Sequence, residues 1–329
     1  MLRTNIKAES AKKQFREFME GNTRPKTGKI LIFHGAEGYD VYNPSIPFSL
    51  KGRTVIAARV ELRSNEVSKT MFFSLENDAW HLIEDAPVLD LQDPFITFID
   101  GQLWVGGVHV VWKDNGRELI RYATNFYKGN TLKELEFVVS GPEFMKDVRL
   151  LQLPDERIAV FSRPQGRANM RVNYNCDCVA KIGFMIIDSV VDLNADVIAK
   201  APLLEGQFIA DEWGGANQLY NLKNGLIGVI GHKSWGEQVG DVFEIHYYSM
   251  AFALNPLTRE LTQTKIISAR NCFPDGPKKN ARTADVTFTS GIIRLGGGRA
   301  QLYAGLNDCQ TGMVEIVDPL DVYEKLKTD

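Results

Sequence analysis

One carboxylate in this sequence stands where it could act as a general acid. Asp93 precedes a proline and leads into two short apolar runs, residues 95–99 and 103–105, which are separated by Asp100-Gly101. Asp-Gly between such runs is the strongest short-range signal for a β-hairpin. Proline favours an extended conformation for the residue before it. The sequence therefore predicts an extended acid at a strand entrance, although Asp before Pro more often only starts a turn.

Basic and hydrogen-bonding side chains recur near other strand ends. Arg163 and Lys146, with Arg117 as a weaker candidate, could hold an anion, and the planar fork of arginine suits phosphate. The other candidates for a binding site are Asn43, Arg59, Asp147, Trp213, His232, Asp285 and Asp308.

Each candidate also has a purely structural interpretation. Arg59 could pair with Glu61 or Glu66 on a solvated face. The neighbouring Lys146 and Asp147 could form an exposed charge pair that is worth little. Tryptophan is more often a packing residue than a sugar platform, and histidine is more often structural than catalytic. Convergence of these residues in one pocket would favour the functional interpretation.

The elements that must position these side chains are almost all strands. Residues 8–19 predict one amphipathic helix that ends before Gly21, and residues 319–327 predict a second. Between them, short apolar runs alternate with Gly, Asn, Asp and Pro, which is typical of an all-β protein. The predicted strands cover residues 29–34, 54–60, 70–74, 95–99, 103–107, 158–162, 182–187, 226–231, 244–253, 265–268, 291–295 and 301–304.

A turn followed by a β-rich strand recurs five times, beginning at Lys51, Asp100, Asp155, Asn224 and Gly297. A spacing of roughly 50–70 residues suits one four-stranded propeller blade. We therefore predict an all-β fold, a five-bladed β-propeller with a short N-terminal helix, rather than a β-sandwich. The chain would be a single domain over residues 1–329, with residues 1–27 as an N-terminal helical extension. A propeller brings strand ends together at one mouth of its channel.

Composition and net charge limit the classes of molecule that the protein is expected to bind. The net charge of −3 gives no reason to expect nucleic-acid or anionic-membrane partners. No membrane span or secretory signal is visible, and the four cysteines read as reduced thiols, so we expect a cytoplasmic protein. No spacing predicts a metal site. The polar loop at residues 271–283 could overhang a site.

In order and spacing, the segments at residues 41–308 resemble the family 130 glycoside phosphorylases and hydrolases, five-bladed propellers that act on β-mannosides. They look still closer to the family 108 β-1,2-mannosyltransferase-phosphorylases. Relative to the family 130 pattern, Gln92 replaces an acid, Phe95 an arginine and Ser162 a histidine, whereas Asp93 is kept. The matching motifs are Asn43-Pro44-Ser45, Gln92-Asp93-Pro94-Phe95, Lys146-Asp147, Ser162-Arg163-Pro164, Gly214-Gly215-Ala216, Val229-Ile230-Gly231-His232 and the segment from Leu302 to Asp308.

This resemblance implies an inverting β-mannoside phosphorylase acting on β-1,2-linked oligomannosides. Asp93 would donate a proton toward the leaving oxygen through a sugar hydroxyl, while inorganic phosphate, held by Arg163 and Lys146, attacks C1 and gives α-mannose 1-phosphate. No cofactor beyond phosphate as co-substrate is implied. Asn43, Arg59, Asp147 and Asp308 would hold the sugar, with Trp213, His232 and Asp285 as further contacts.

Three alternatives remain open at the level of sequence. Relatives of this kind also use GDP-mannose as donor, since its anomeric phosphate occupies the same place. A β-mannoside hydrolase would need a second carboxylate to activate water, for which Asp211 and Glu212 are the candidates. A glycan-binding propeller would turn nothing over. In every case the partner is a small-molecule sugar.

Overall fold

The computed structural model describes residues 1–4, 6–23, 25, 27–113, 118–164 and 180–327, and strands predominate among them. Their bounds are β1 Lys29–Ile30, β2 Phe33–His34, β3 Asp40–Tyr42, β4 Phe48–Leu50, β5 Arg53–Glu61, β6 Lys69–Glu76, β7 Ala79–Leu82, β8 Gln92–Ile99, β9 Gln102–Lys113, β10 Glu118–Gly129, β11 Glu136–Ser140, β12 Arg149–Gln152, β13 Ile158–Ser162, β14 Gly183–Ile187, β15 Trp213–Asn221, β16 Ile227–Val239, β17 Val242–Leu254, β18 Lys265–Ser268, β19 Asp285–Gly296, β20 Arg299–Leu306 and β21 Gln310–Val317. The α-helices are α1 Ala11–Glu20, α2 Ala195–Ala199 and α3 Pro319–Tyr323.

The strands fall into five antiparallel groups that follow each other along the chain. Group 1 contains β3 to β7 with β2 added in parallel, group 2 contains β8 to β11, and group 3 contains β12 to β14. Group 4 contains β15 to β18, and group 5 contains β19 to β21 with β1 on its outer edge. Groups 4 and 5 are joined by a short parallel contact, in which His246 pairs with Asp285 and Tyr247 with Val286.

Apolar side chains pack between neighbouring groups. Phe72 of group 1 clusters with Leu103 of group 2, and Phe126 of group 2 clusters with Val160 of group 3. A larger cluster joins groups 3, 4 and 5. In a fourth cluster, Tyr303 of group 5 packs with apolar side chains of group 1. The groups therefore contact each other in a cycle, since the last also packs on the first.

The same two ends of the chain are joined by hydrogen bonds. β1, near the N-terminus, pairs with β21, near the C-terminus, through Lys29↔Met313 and Ile30↔Gly312. The hydroxyl of Thr311 also donates to the carbonyl of Val41 at 3.0 Å. These contacts bring residues near the N-terminus and residues near the C-terminus together.

Two helices were predicted near their observed positions. α1 begins at Ala11, because Ser10 caps it by accepting from the amide of Lys13, and it buries Ala11, Gln14 and Phe18 on one face. The C-terminal helix is shorter than predicted and ends at Tyr323. None of the helices in the described part of the chain is long and apolar enough to cross a membrane.

The strand predicted at residues 29–34 is divided into β1 and β2, which belong to different groups. The other predicted strands are present, but several further strands were missed. β10, β15 and β21 carry polar or glycine-rich sequences that do not stand out as apolar runs. Gly214-Gly215-Ala216, matched by resemblance to a turn, lies inside β15. Glycine is needed there because a Cβ on Gly214 would lie 2.2 Å from the His232 carbonyl oxygen.

We predict that Gly28→Ala weakens the closure between β1 and β21. A Cβ at this position would lie 2.7 Å from the Met313 carbonyl oxygen and 2.9 Å from both Phe273 Cδ1 and Val314 Cβ. Overpacking of this kind typically costs about 1–3 kcal/mol, which should lower the denaturant midpoint. Lys29→Ala, at an exposed neighbouring position, is the control. Equal midpoints for the two variants would show that the closure is not tightly packed.

Candidate functional site

All five groups contribute to one cavity of about 180 Å³. Its walls bring together seven residues that the sequence had singled out: Asn43, Arg59, Asp93, Lys146, Asp147, Arg163 and Asp308. The remaining lining residues are Tyr42, Glu66, Gln92, Ile245, Tyr247, Lys279, Val286 and Phe288. Side chains more than 250 positions apart in sequence thus face one space.

Asp93 is held at the cavity by two donors on one oxygen. Its Oδ1 accepts from Asn43 Nδ2 at 2.8 Å and from Arg59 Nη1 at 3.1 Å. Its Oδ2 has no hydrogen-bond partner among the described residues. The carboxyl group is therefore oriented by one oxygen, and the other oxygen is left for a ligand.

The proline after Asp93 had led us to expect an extended backbone at this residue. Its backbone instead lies at φ +50°. β8 carries a bulge between Gln92 and Phe95, where its register against β9 shifts. A bulge re-aims a side chain at the edge of a sheet, and Asp is among the residues that tolerate positive φ.

Arg59 is clamped between Asp93 and a second, fully buried carboxylate. Glu61 accepts from Arg59 Nε at 3.0 Å and from Arg59 Nη2 at 2.8 Å. It also accepts from the Tyr42 and Ser68 hydroxyls and pairs with Lys279. Burial disfavours the charged form, but the carboxylates of Asp93 and Glu61 outweigh it and hold the pKa of Arg59 well above its usual range. Arg59 does pair with Glu61, then, but in the interior rather than on a solvated face.

Asp147 anchors the opposite side of the cavity. Its Oδ1 accepts from Arg149 Nη2 at 3.1 Å and its Oδ2 from Arg163 Nη1 at 2.8 Å. Arg163 Nε donates to the Gly214 carbonyl at 2.9 Å. A Cβ on Gly215 would lie 2.8 Å from Arg163 Cδ, so this glycine makes room for the arginine. Both oxygens of Asp147 are occupied, and its role in this structure is to hold Arg163.

Four polar residues of the cavity share an uncommon backbone conformation. Asn43, Asp93, Asp147 and Asp308 have φ values of +43°, +50°, +53° and +55°. Non-glycine residues at positive φ are uncommon and cluster at functional sites, where packing holds the strain in place. Here Asn and Asp, which tolerate this conformation best, supply the functional groups as well.

Two charged groups in the cavity lack a counter-ion among the described residues. Lys146 lies over the Tyr122 ring at 5.1 Å and forms no ion pair there, and burial lowers the pKa of its ammonium group. Burial likewise raises the pKa of the Asp308 carboxyl to about 6, with Asp93 and Glu66 adding to the rise and Arg59 and Lys279 opposing it. Both groups would gain from a ligand that supplies the missing partner.

The remaining predicted site residues lie elsewhere. His232 is fully buried behind the cavity, stacks on Tyr247 and bonds Asn217 at 2.7 Å. Burial and nearby arginines place the pKa of its imidazole well below the usual range. Trp213 donates to the Tyr247 hydroxyl at 2.9 Å, and Asp285 pairs with His246. Arg117 falls outside the described residues.

Sequence reasoning did not predict Tyr42, Tyr247 or Lys279 as site residues, and it placed the pair of Glu61 and Arg59 only on a solvated face. Glu61 lies two positions after Arg59 on the same strand, which is the only signal that linked the two. Lys279 belongs to the polar loop at residues 271–283, so this loop does reach the cavity. Tyr247 gave no signal, because its segment looks like any buried strand.

Comparison with known proteins places the chain in a family. The protein-family model described as "Protein of unknown function (DUF1861)" matches residues 17–322. The chain belongs to the DUF1861 family. No curated protein matches it.

Solved structures extend this finding. MPT-4, a mannose phosphorylase from Leishmania mexicana solved with a phosphate ion, is 36% identical with a TM-score of 0.86, over 97% of this chain and 96% of that one. MPT-1, a GDP-Man-dependent mannosyltransferase from the same organism, is 32% identical with a TM-score of 0.86, over 98% and 99%. These matches confirm the resemblance to mannoside phosphorylases and mannosyltransferases that the sequence motifs indicated. They also identify the chain as a carbohydrate-active enzyme.

A more distant structure shares the fold alone. The β-1,2-mannobiose phosphorylase from Listeria innocua is 13% identical with a TM-score of 0.59, over 88% of this chain and 93% of that one.

We predict that Asp308→Asn stabilises the protein above pH 6 and not below pH 4. The pKa of Asp308 is about 6 in the folded protein but near 3.9 when unfolded, so its ionisation favours unfolding as pH rises through this window. The full effect, reached at about pH 8, is on the order of 3 kcal/mol. Thermal melts of both proteins at pH 3.5 and pH 8 measure it. A variant that melts at the same temperature as the wild type at pH 8 would contradict this assignment.

Proposed function

We propose that this DUF1861 protein is an inverting β-mannoside phosphorylase with the architecture of a five-bladed propeller. The blades correspond to groups 1 to 5, whose cyclic packing supports that arrangement. The observation that carries the activity is the cavity, which Asp93 lines together with the cationic side chains of Arg59, Lys146, Arg163 and Lys279. Such a site suits a reaction between a sugar and an anion. The two Leishmania relatives, a mannose phosphorylase and a GDP-Man-dependent mannosyltransferase, support mannose as the sugar.

In the proposed reaction, a β-1,2-linked mannoside occupies the cavity with its reducing-end side toward Asp93. Asp93 delivers a proton to the leaving oxygen through a sugar hydroxyl. Inorganic phosphate attacks C1 from the opposite face and forms α-mannose 1-phosphate. Arg163 and Lys146 hold the phosphate, because Lys146 has no counter-ion among the described residues and Arg163 is presented by Asp147. Asn43, Arg59 and Asp308 contact the sugar.

A hydrolase that uses Asp211 or Glu212 is not supported by this geometry, although Glu66 and Asp308 also line the cavity. An inverting hydrolase needs a second carboxylate to activate water. Neither Asp211 nor Glu212 lines the cavity: Glu212 caps the start of α1 and pairs with Lys233 at 3.2 Å. A phosphorylase needs no such base, because phosphate is already a competent nucleophile.

We predict that Asp93→Asn lowers kcat by about 10²–10⁴-fold, the usual contribution of a positioned general acid. Asparagine keeps the size of the side chain and tolerates positive φ, so the melting temperature should change little. Asp100→Asn, at the other end of β8, is the control for an Asp at positive φ outside the cavity. Near-normal turnover by Asp93→Asn would overturn the assignment of the acid.

We predict that the protein releases phosphate from α-mannose 1-phosphate when mannose is the acceptor. Phosphate release and product chain length are measured in parallel, with GDP-mannose and mannose in a second reaction. Product only in the second reaction would make the protein a transferase, as MPT-1 is. Free mannose from a β-mannobiose control, with silence in both reactions, would indicate a hydrolase. No turnover in any reaction would contradict an enzyme of this class.

A further inference from the structure

A groove of about 420 Å³ opens beside the cavity, between groups 1 and 2. Its walls are residues 67–69 on one side and residues 90–92 and 108–112 on the other. Gln92 lines both the groove and the cavity. The groove therefore lies next to the site that holds Asp93, the next residue along the chain.

One wall of the groove is a strand edge that has no second partner strand among the described residues. β8 pairs with β9 only as far as Gln92↔Val108. Beyond this point, residues 109–113 pair with β10 alone. The unpaired edge offers backbone N–H and C=O groups to whatever lies in the groove. Sugar hydroxyls both donate and accept hydrogen bonds, so they match such an edge.

The side chains of the groove favour an uncharged ligand. Lys69 is already paired with Asp90, and no other Lys or Arg belongs to the described lining. A nucleoside diphosphate would find no free cation here. Trp112 and His109 are only partly buried and present ring surfaces, and the indole combines a broad apolar face with a polar edge.

We propose that this groove binds the outer sugars of the acceptor, a neutral mannooligosaccharide, with Trp112 as a stacking surface. The inference rests on the proposed function. The acid protonates the leaving oxygen, so the leaving chain must extend from the side of Asp93. Gln92 connects that side to the groove. The groove thus sets a preference for acceptors longer than one sugar.

Acceptor length provides the test. With α-mannose 1-phosphate as donor, kcat/KM is measured for mannose and for β-1,2-mannotriose, and their ratio is compared between proteins. Trp112→Ala should lower the ratio of mannotriose to mannose about tenfold. Trp112→Leu, which keeps apolar bulk but loses the flat ring, should lower it as well. Phe137→Ala removes an exposed aromatic ring on β11, the outer strand of the same sheet, and should leave the ratio unchanged.

Failure of this proposal differs from failure of the proposed function. An active wild type without a preference for mannotriose, or Trp112 variants with an unchanged ratio, would overturn the groove assignment alone. If the wild type is inactive with every donor, the groove assignment is tested by measuring the binding of β-1,2-mannotriose by calorimetry. Binding that persists in Asp93→Asn but is lost in Trp112→Ala supports the groove, and equal binding by both variants overturns it. Loss of GDP binding in Trp112→Ala would assign the groove to a nucleotide instead.

Discussion

The site depends on one buried arginine that two carboxylates share. Arg59 lies between Glu61 and Asp93, with its guanidinium over the Tyr42 ring at 4.8 Å. Removing Arg59 would take the shared counter-ion from two buried carboxylates, which is strongly destabilising. The geometry of Asp93 is therefore tied to Glu61, and through Lys279 to the loop at residues 271–283, which leads into group 5. The acid belongs to group 2 but is oriented by group 1 and, indirectly, by this loop.

A second buried chain of polar contacts organises the cationic side. It runs from Arg149 through Asp147 and Arg163 to the Gly214 carbonyl, and so links group 3 with group 4. The two chains face each other across the cavity, and each fixes one functional group with several contacts. Positive φ at Asn43, Asp93 and Asp147 is tolerated because these contacts hold each residue in place. Rigid positioning of this kind is what catalysis by orientation requires.

The sequence predicted the polar residues that line the site better than it predicted the contacts that hold those residues in place. Asp93, Asp147 and Arg163 were recognisable because each follows or precedes a strand at a turn. Glu61 was not, because a charged residue near a strand end usually faces solvent, and only tertiary packing buries this one. His232 and Trp213 were expected at the sugar but lie behind Tyr247, since sequence does not reveal which strand end is covered by another. The strand count was underestimated where glycines in β15 replace apolar residues to allow close packing.

Two departures from the family 130 pattern have a physical explanation in the packing behind the cavity. The ring of Phe95 is buried edge-on against Phe126, in space left by Gly106, and the guanidinium of Arg149 lies 4.6 Å from its centre. Position 95 therefore faces the core between groups 2 and 3.

Ser162 is likewise buried, and a Cβ on Gly183 would lie 2.3 Å from its hydroxyl oxygen. Neither departure removes a group that lines the cavity. Both act on the scaffold of Asp147 and Arg163, the side where an anion would be held. A change of donor from mannose 1-phosphate to a nucleotide sugar would therefore involve residues on this side of the site. Asp93 and its contacts with Asn43 and Arg59 would stay the same.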